Sequence, residues 1–196
     1  MNSVFIHIPK TGGLTIERAL NLKILRTYHR LKNNPGASGH ISLGHMWFDH
    51  CVKKGLISEE FARTSFKYAF CRNPYDRAVS HWKYVMWKHP DLLARGTSFL
   101  DFSRNLEGKR EFRQQYLPIE NIKMDYIGRF ENLEDEIQKL SMMLGIVVHS
   151  VPHMNSTDHR PYYEYYCQES KERIEEHYKR DFEIFGYEYD NNLLHR

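Results

Sequence analysis

The sequence predicts an α/β fold, a single three-layer domain in which a central parallel sheet is flanked by helices. Short apolar segments with the composition of buried strands alternate with segments whose apolar residues recur at helical spacing. This alternation is typical of parallel sheets that are covered on both faces. The chain has 196 residues, of which 41% are hydrophobic, and this length suits one substantial core. We find no repeat, low-complexity tract or linker, so we expect one domain over residues 1–196.

In the first half of the chain, strands are predicted where short runs are almost wholly apolar, and helices where apolar residues share one helical face. In the first helix these residues are Ile16, Ala19 and Leu20. A run rich in Asn, Pro, Gly and Ser over residues 33–39 indicates a loop. The predicted elements, in chain order, are a strand over Val4–Ile8, a helix over Thr15–Leu22, a helix over Trp47–Lys54 and a strand over Phe66–Cys71.

In the second half, signals for helix ends accompany the periodicity. Pro74 suits the first turn of a helix. Asn132 suits a helix start and Gly145 a helix stop. The predicted elements, in chain order, are a helix from Pro74 to about Lys88, a short helix over Ser98–Leu106, a strand over Tyr126–Phe130, a helix over Leu133–Leu144, a polar loop over Val151–Tyr163 and a last helix from Ser170 with an apolar stripe that ends at Phe185.

Charge and cysteine content exclude several classes of function. With 28 Lys and Arg against 25 Asp and Glu, the net charge is +3, too small to indicate nucleic acid as a partner, although a local basic pocket for an anion is compatible with it. The cysteines at positions 51, 71 and 167 are odd in number and lack metal-ligand spacing, so we expect no disulfide framework and no zinc site. No segment has the pattern of a signal peptide or a transmembrane span, so we expect no membrane segment and a cytoplasmic protein.

A basic turn with the sequence PKTGGLT joins the first predicted strand to the first predicted helix. Gly12 and Gly13 let the backbone approach a ligand closely, and the N–H groups at the start of a helix favour an anion. Lys10 adds a positive charge, and Thr11 and Thr15 add hydroxyl groups. The order of residues is not that of the ATP-binding GxxxxGK[ST] loop. The alternative interpretation is an ordinary turn with a solvated lysine.

A second strand-to-helix turn carries the sequence FCRNPYDRAVS. Arg72 ends the strand, and Ser80 lies eight residues later, about two helical turns on. An arginine side chain can bind a phosphate through bidentate hydrogen bonds. In parallel sheets, ligands bind where strands end at one edge. The alternative is that Arg72 pairs with a carboxylate such as Asp76 and that Ser80 is merely exposed.

Together, FIHIPKTGG and FCRNPYDRAVS resemble the sulfotransferases that use 3′-phosphoadenosine 5′-phosphosulfate (PAPS). The chain looks most like the branch that acts on carbohydrates, which includes the heparan and chondroitin enzymes and their bacterial relatives. The resemblance extends to YIGRFENLEDE, HMNSTDHRPYYEYY and DFEIFGYEY, and so over nearly the whole chain. It implies a P-loop-like sulfotransferase fold, PAPS as donor with 3′-phosphoadenosine 5′-phosphate (PAP) as product, no required metal, and a glycan or small-molecule hydroxyl as acceptor.

The resemblance also implies roles for particular residues. Lys10 would stabilise the charge that develops on the departing phosphate, and Arg72 and Ser80 would bind the 3′-phosphate. A late loop closes over the nucleotide in the family. The family usually continues GGTS, whereas Leu14 here removes one hydroxyl. The residues implied to bind the 5′-phosphosulfate are Lys10, Thr11, Gly12, Gly13, Leu14 and Thr15, and those expected in the late loop include Asn155, Ser156 and Arg160. A plain polar surface loop is the alternative for the late segment.

A general base between the two motifs is also expected, since the family commonly uses a His or a carboxylate there. Such a base typically contributes about 10²- to 10⁴-fold in rate. The GH pair after the Gly-rich loop matches His40 to this position, and His45 is the second choice. His50 falls in a predicted helix and suits a solvated position, and His7 falls in the first strand and suits the core.

The resemblance therefore predicts an enzyme that moves the sulfuryl group of PAPS to a hydroxyl of a carbohydrate by in-line transfer, with a His as general base. Three other functions remain open at this point. The chain could be a kinase-like phosphotransferase that uses ATP, a non-catalytic nucleotide-binding protein on the same scaffold, or a basic module that binds polyanions.

Overall fold

The computed structural model of the protein describes residues 1–25, 38–106, 113–152 and 160–189. By their contacts, the residues form two compact units. The first comprises Met1–Cys71 and Pro118–Asn155, and the second comprises Arg72–Leu117 and Ser156–Arg196. Within the described ranges, none of the helices has both the length and the apolar character needed to cross a bilayer.

The first unit is built on an all-parallel sheet, which the described residues form from five strands. The strands are β1 (Ser3–Phe5), β2 (Lys23–Ile24), β3 (His40–Ser42), β4 (Phe66–Cys71) and β5 (Tyr126–Arg129). Their order across the sheet is β2-β3-β1-β4-β5. The central strand β1 pairs on both sides, with Ser3 opposite His40 in β3 and opposite Phe66 in β4. All strands therefore start at one edge of the sheet and end at the other.

The described residues also form helices, and the predicted α/β class with a parallel sheet is confirmed. In chain order they are α1 (Gly13–Ala19), α2 (Phe48–Lys53), α3 (Glu59–Thr64), α4 (Pro74–Lys88), α5 (Pro90–Ala94), α6 (Phe99–Ser103), α7 (Leu133–Leu144), α8 (Gln168–His177) and α9 (Lys179–Phe185). Short 3₁₀ segments cover Leu117–Ile119, Phe130–Asn132 and Tyr162–Tyr165. Helices α1, α2, α3 and α7 belong to the first unit, and the others to the second.

The core of the first unit joins one face of the sheet to α1 and α7. Their apolar residues lie three and four positions apart, so they form one stripe on each helix. The core consists of Phe5, Ile16, Leu20, Leu22, Tyr68, Phe70, Ile137, Leu140 and Leu144. Every residue of β1 and the last four of β4 are buried. Since successive strand residues point to opposite faces, both faces of the central strands are covered.

The second unit is organised around α4. Asn73 precedes the helix, and its side chain accepts a hydrogen bond from the Tyr75 N–H group, while Pro74 occupies the first turn. The buried residues of α4 pack with those of α6, α8 and neighbouring segments. This second core consists of Tyr75, Ala78, Val79, Phe99, Phe102, Leu106, Ile174 and Tyr178.

Several element boundaries differ from the prediction. The first strand covers Ser3–Phe5 and so ends before the predicted Ile8, while α1 begins at Gly13, before the predicted Thr15. The last predicted helix is two helices, α8 and α9, that meet at Tyr178, whose φ of −105° and ψ of 19° interrupt the helical geometry. The 3₁₀ segment Tyr162–Tyr165 extends beyond the predicted polar loop, of which residues 153–159 lie outside the described residues. Residues 33–37 of the earlier predicted loop also lie outside them.

Two short strands and two short helices were not predicted from the sequence. They are β2, β3, α3 and α5, with two, three, six and five residues respectively. Segments this short carry too few residues to define a period of 2 or 3.6. That residues 1–196 act as one domain remains a prediction.

Candidate functional site

The turn between β1 and α1 has an unusual backbone. Lys10 has a φ of 68° and Gly12 a φ of 80°, both in the left-handed region. Gly12 adopts this conformation without cost, but a lysine there is strained, by about 1–2 kcal/mol. Thr11 is buried, and its hydroxyl donates to the backbone oxygen of Ile8 at 2.8 Å. The Thr11 hydroxyl therefore forms a hydrogen bond across the turn. The backbone of Lys10 is held in a conformation that is unfavourable for a residue with a side chain.

The two glycines of the turn are enclosed by side chains from other elements. A Cβ atom on Gly13 would lie 1.9 Å from Nε2 of His7, so the imidazole ring rests directly on this residue. A Cβ atom on Gly12 would lie 3.0 Å from side-chain carbons of both Phe130 and Leu133. A larger residue at Gly13 would require the His7 ring to move, and one at Gly12 would be strained at its φ of 80°. The sequence reading did not foresee that the YIGRFENLEDE segment supplies this cover.

The turn is chemically suited to an anion. Lys10 adds a cation beside two residues that have no side chain, and half-buried Leu14 replaces a hydroxyl-bearing residue of the family pattern. Thr15 is buried in the first turn of α1. The Lys10 ammonium group, together with backbone N–H groups of a turn, suits the oxygens of a phosphate or sulfate group.

A buried carboxylate lies behind the turn. Glu17, on α1, is 2% exposed. One of its oxygens, Oε1, is 3.1 Å from Nδ1 of His7 and accepts a hydrogen bond from the Ser42 hydroxyl at 2.7 Å. Sequence reading missed Glu17, because its two partners are 10 and 25 residues away in the chain. His7 is buried, as predicted, and this carboxylate is its partner.

His45 lies at the same edge of the sheet as the turn, beyond the carboxyl end of β3. It is exposed, unlike His7. The ring centroids of His7 and His45 are 4.3 Å apart, and Nδ1 of His45 lies 3.4 Å from the backbone oxygen of His7. Since the His7 ring also rests on Gly13, His45 is separated from the turn by one side chain.

His40, the first choice for the base from the sequence, lies elsewhere. It is the first residue of β3 and pairs with Ser3, the first residue of β1. Its Nδ1 is 2.9 Å from the Ser3 hydroxyl oxygen. In a parallel sheet the strand starts and the strand ends lie at opposite edges, so His40 lies at the edge opposite to the turn that carries Lys10. Burial, and then the nearby N-terminal ammonium group, lower the pKa of His40 from its ordinary value.

In the second motif, one part of the alternative interpretation is observed and the other is not. Arg72 is buried, and its Nε and Nη2 atoms are 2.8 and 2.7 Å from Oδ2 of Asp76. The predicted alternative pairing with Asp76 is therefore observed. Ser80 is 2% exposed, so the idea that it is merely exposed is wrong. Asp76 and Ser80 are four residues apart on α4 and thus share one helix face.

The backbone of Arg72 is held by residues that the sequence reading did not single out. The Arg72 N–H donates to Oε1 of Gln115, and Nε2 of Gln115 donates back to the Arg72 oxygen, both at 2.8 Å. Asp181 in turn accepts the backbone N–H groups of Gln115 and Tyr116 at 2.8 and 3.0 Å. Asp181 is fully buried, and burial raises the pKa of its carboxyl group. The position of Arg72 thus depends on partners 43 residues away.

The late-loop residues receive little structural description. Asn155 and Ser156 lie outside the described residues. The Arg160 side chain is exposed and lies 3.5 Å from the Glu164 carboxylate. Across the described ranges, no group of three or more His, Cys, Asp and Glu side chains is arranged to hold a metal ion.

Comparison with known proteins agrees with the motifs. The family model described as "Sulfotransferase family" matches residues 2–188. The match therefore includes both strand-to-helix turns and the segment that covers Gly12. A search of curated proteins returned no match.

Proposed function

The chain belongs to the sulfotransferase family, a family of transferases, and we propose that it moves the sulfuryl group of PAPS to a hydroxyl of a carbohydrate acceptor. The observation that carries this proposal is the turn between β1 and α1. It holds Lys10 in a left-handed conformation, next to two glycines that other side chains enclose. Strain of this kind is kept where the surrounding structure and the function require it. The proposed contacts of the 5′-phosphosulfate are Lys10, Thr11, Gly12, Gly13, Leu14 and Thr15.

The donor supplies an activated sulfuryl group, whose sulfur–oxygen bond to the 5′-phosphate breaks as a new bond to the acceptor oxygen forms. The Lys10 ammonium group stabilises the negative charge that develops on the oxygen left on the phosphate. Backbone N–H groups of the turn add to this stabilisation. The acceptor hydroxyl must also lose its proton, and this requires a base on the acceptor side.

We assign the role of general base to His45 rather than to His40. His45 is exposed, follows the carboxyl end of β3, and contacts the His7 ring that rests on Gly13. His40 lies at the opposite edge of the sheet and contacts Ser3. A base has to reach the proton that it removes, directly or through one water molecule, so position weighs more than the motif match.

Arg72 and Ser80 are the proposed ligands of the 3′-phosphate. Asp76 holds the Arg72 guanidinium through Nε and Nη2, which fixes its orientation before a ligand binds. A guanidinium carries five N–H donors, so it can bind a phosphate as well as one carboxylate oxygen. Asn155, Ser156 and Arg160 are proposed to cover the nucleotide. Selection of a 3′-phosphorylated nucleotide over ATP would follow from the Arg72 site.

The test begins with ligand-induced stabilisation. PAP should raise Tm strongly without Mg²⁺, AMP should raise it little, and the effect of PAP should be greatly reduced in Arg72→Ala. Ser80→Ala is the milder variant, since it removes one hydroxyl. An equal or larger shift with Mg²⁺ and ATP would favour a kinase-like enzyme instead. Weak binding of many anions that disappears with salt would favour a polyanion-binding module.

The second part of the test compares two histidine variants. With PAPS and a panel of glycan acceptors, His45→Ala should lose about 10²- to 10⁴-fold in kcat, whereas His40→Ala should stay within a few fold of the wild type. PAP binding should persist in both. The opposite pattern would return the role of base to His40. Binding of PAP without turnover of any acceptor would favour a non-catalytic nucleotide-binding protein.

A further inference from the structure

Glu17 is a buried carboxylate in the first unit. Its side chain is 0% exposed, although burial of a carboxylate is costly unless hydrogen bonds compensate it. The residue lies on α1, one turn after Gly13, so it shares a helix face with the glycine on which His7 rests. A carboxylate at this position is therefore directly linked to the turn that carries Lys10.

One set of contacts runs from Glu17 through His7. The carboxylate oxygen Oε1 is 3.1 Å from Nδ1 of His7, which fixes the orientation of the imidazole ring. The opposite side of that ring faces Gly13, and its centroid is 4.3 Å from that of the His45 ring, at an interplanar angle of 52°. The oriented ring of His7 thus forms one wall against which His45 lies.

A second set of contacts runs from the same oxygen through Ser42. The Ser42 hydroxyl donates to Oε1 of Glu17 at 2.7 Å. The oxygen of that hydroxyl accepts the N–H group of Gly44 at 3.1 Å. Gly44 has a φ of 57° and directly precedes His45. Glu17 therefore fixes both the ring beside His45 and the backbone from which His45 extends.

We propose that Glu17 is a positioning residue that couples the Lys10 turn to the base His45 through His7 and Ser42. The inference rests on the proposed role of His45. Helix α1 starts at the turn and carries Glu17, so the nucleotide-binding turn and the base are held in one frame. A displacement of about 1 Å in a reacting group costs about 10²-fold in rate, and this is the loss expected when Glu17 is removed.

The experiment measures kcat and the donor KM of variants at a temperature well below Tm. Glu17→Leu should lower kcat by about 10²-fold and change the donor KM little. Glu17→Gln should recover most of that loss, because both partners bind the same oxygen, Oε1, and an amide retains one oxygen. If Glu17 only filled space in the core, Glu17→Leu and Glu17→Gln should have similar kcat values.

Ser42→Ala provides the second test, and it applies even if Glu17→Leu does not fold. It should lower kcat by about 10-fold, whereas Ser141→Ala should not. Ser141 is a matched control, since it is also a buried serine of the first unit, with its hydroxyl bonded to the Gln138 backbone oxygen at 2.7 Å. In the Glu17→Leu background, Ser42→Ala should have little further effect, because its partner is already lost.

The outcomes separate this inference from the proposed function. Wild-type kcat in Ser42→Ala and Glu17→Leu, with His45→Ala inactive, would overturn the positioning role alone. Equal losses in Glu17→Leu and Glu17→Gln would also overturn it, since the negative charge rather than the hydrogen bonds would then matter. Full activity in His45→Ala would instead remove the proposed base.

Discussion

Replacing Lys10 by glycine and by alanine tests the strained turn directly. Both variants remove the ammonium group, so both should lose about 10²- to 10³-fold in kcat, as expected when a group that stabilises transition-state charge is deleted. Their stabilities should differ, however. At a φ of 68° alanine keeps the backbone strain of lysine, whereas glycine is free of it.

The magnitude follows from two opposing terms. Glycine relieves about 1–2 kcal/mol of left-handed strain, and it costs about 0.5–1 kcal/mol relative to alanine through its greater freedom in the unfolded chain. Lys10→Gly should therefore be more stable than Lys10→Ala by up to about 1.5 kcal/mol. For a chain of this length, each 1 kcal/mol corresponds to a Tm difference of about 2–4 °C, which calorimetry resolves.

Met142 supplies the control for this comparison. It lies in α7 and is 75% exposed, so Met142→Gly should be less stable than Met142→Ala by about 1 kcal/mol. The order of the two variants is thus reversed between the two sites. If Lys10→Gly were less stable than Lys10→Ala by as much as the pair at Met142, the left-handed turn would be refuted, and with it the argument that function maintains the strain.

Two further predictions concern residues around the site. Gly13→Ala should destabilise the protein by about 1–3 kcal/mol through overpacking, because its Cβ would lie 1.9 Å from Nε2 of His7. The double variant with His7→Ala should show less than the additive loss of free energy of unfolding in denaturant titrations. The pKa of His40 is lowered from 6.5 mainly by burial, so the unfolded chain binds its proton more readily and stability should fall as pH decreases through 6.5. His40→Gln should reduce this fall in Tm, and an unchanged pH dependence would contradict the assigned environment.

Local signals in the sequence determined the bounds of several strands and helices. The strand β4 was predicted with its observed bounds, and α4 and α7 with their starts and ends, because apolar runs, Pro74 and Gly145 act over a few neighbouring residues. The ion pair between Arg72 and Asp76 was available as an alternative for the same reason, since residues four apart on a helix face each other. The turn suited to an anion and the family resemblance could also be recognised from residues that are close in the sequence.

The tertiary structure decided which residues surround the turn. The choice between His40 and His45 depends on the register of β3 against β1, and that register is formed by residues 37 positions apart, such as Ser3 and His40. No local pattern encodes this register, because side chains alternate between the two faces with a period of two in every strand. Glu17 likewise gains its two partners only when β3 lies beside β1 and the residues that follow β1, which brings Ser42 and His7 to one oxygen. Burial and pairing across the sheet, rather than residue type, distinguish these side chains from the other histidines and carboxylates of the chain.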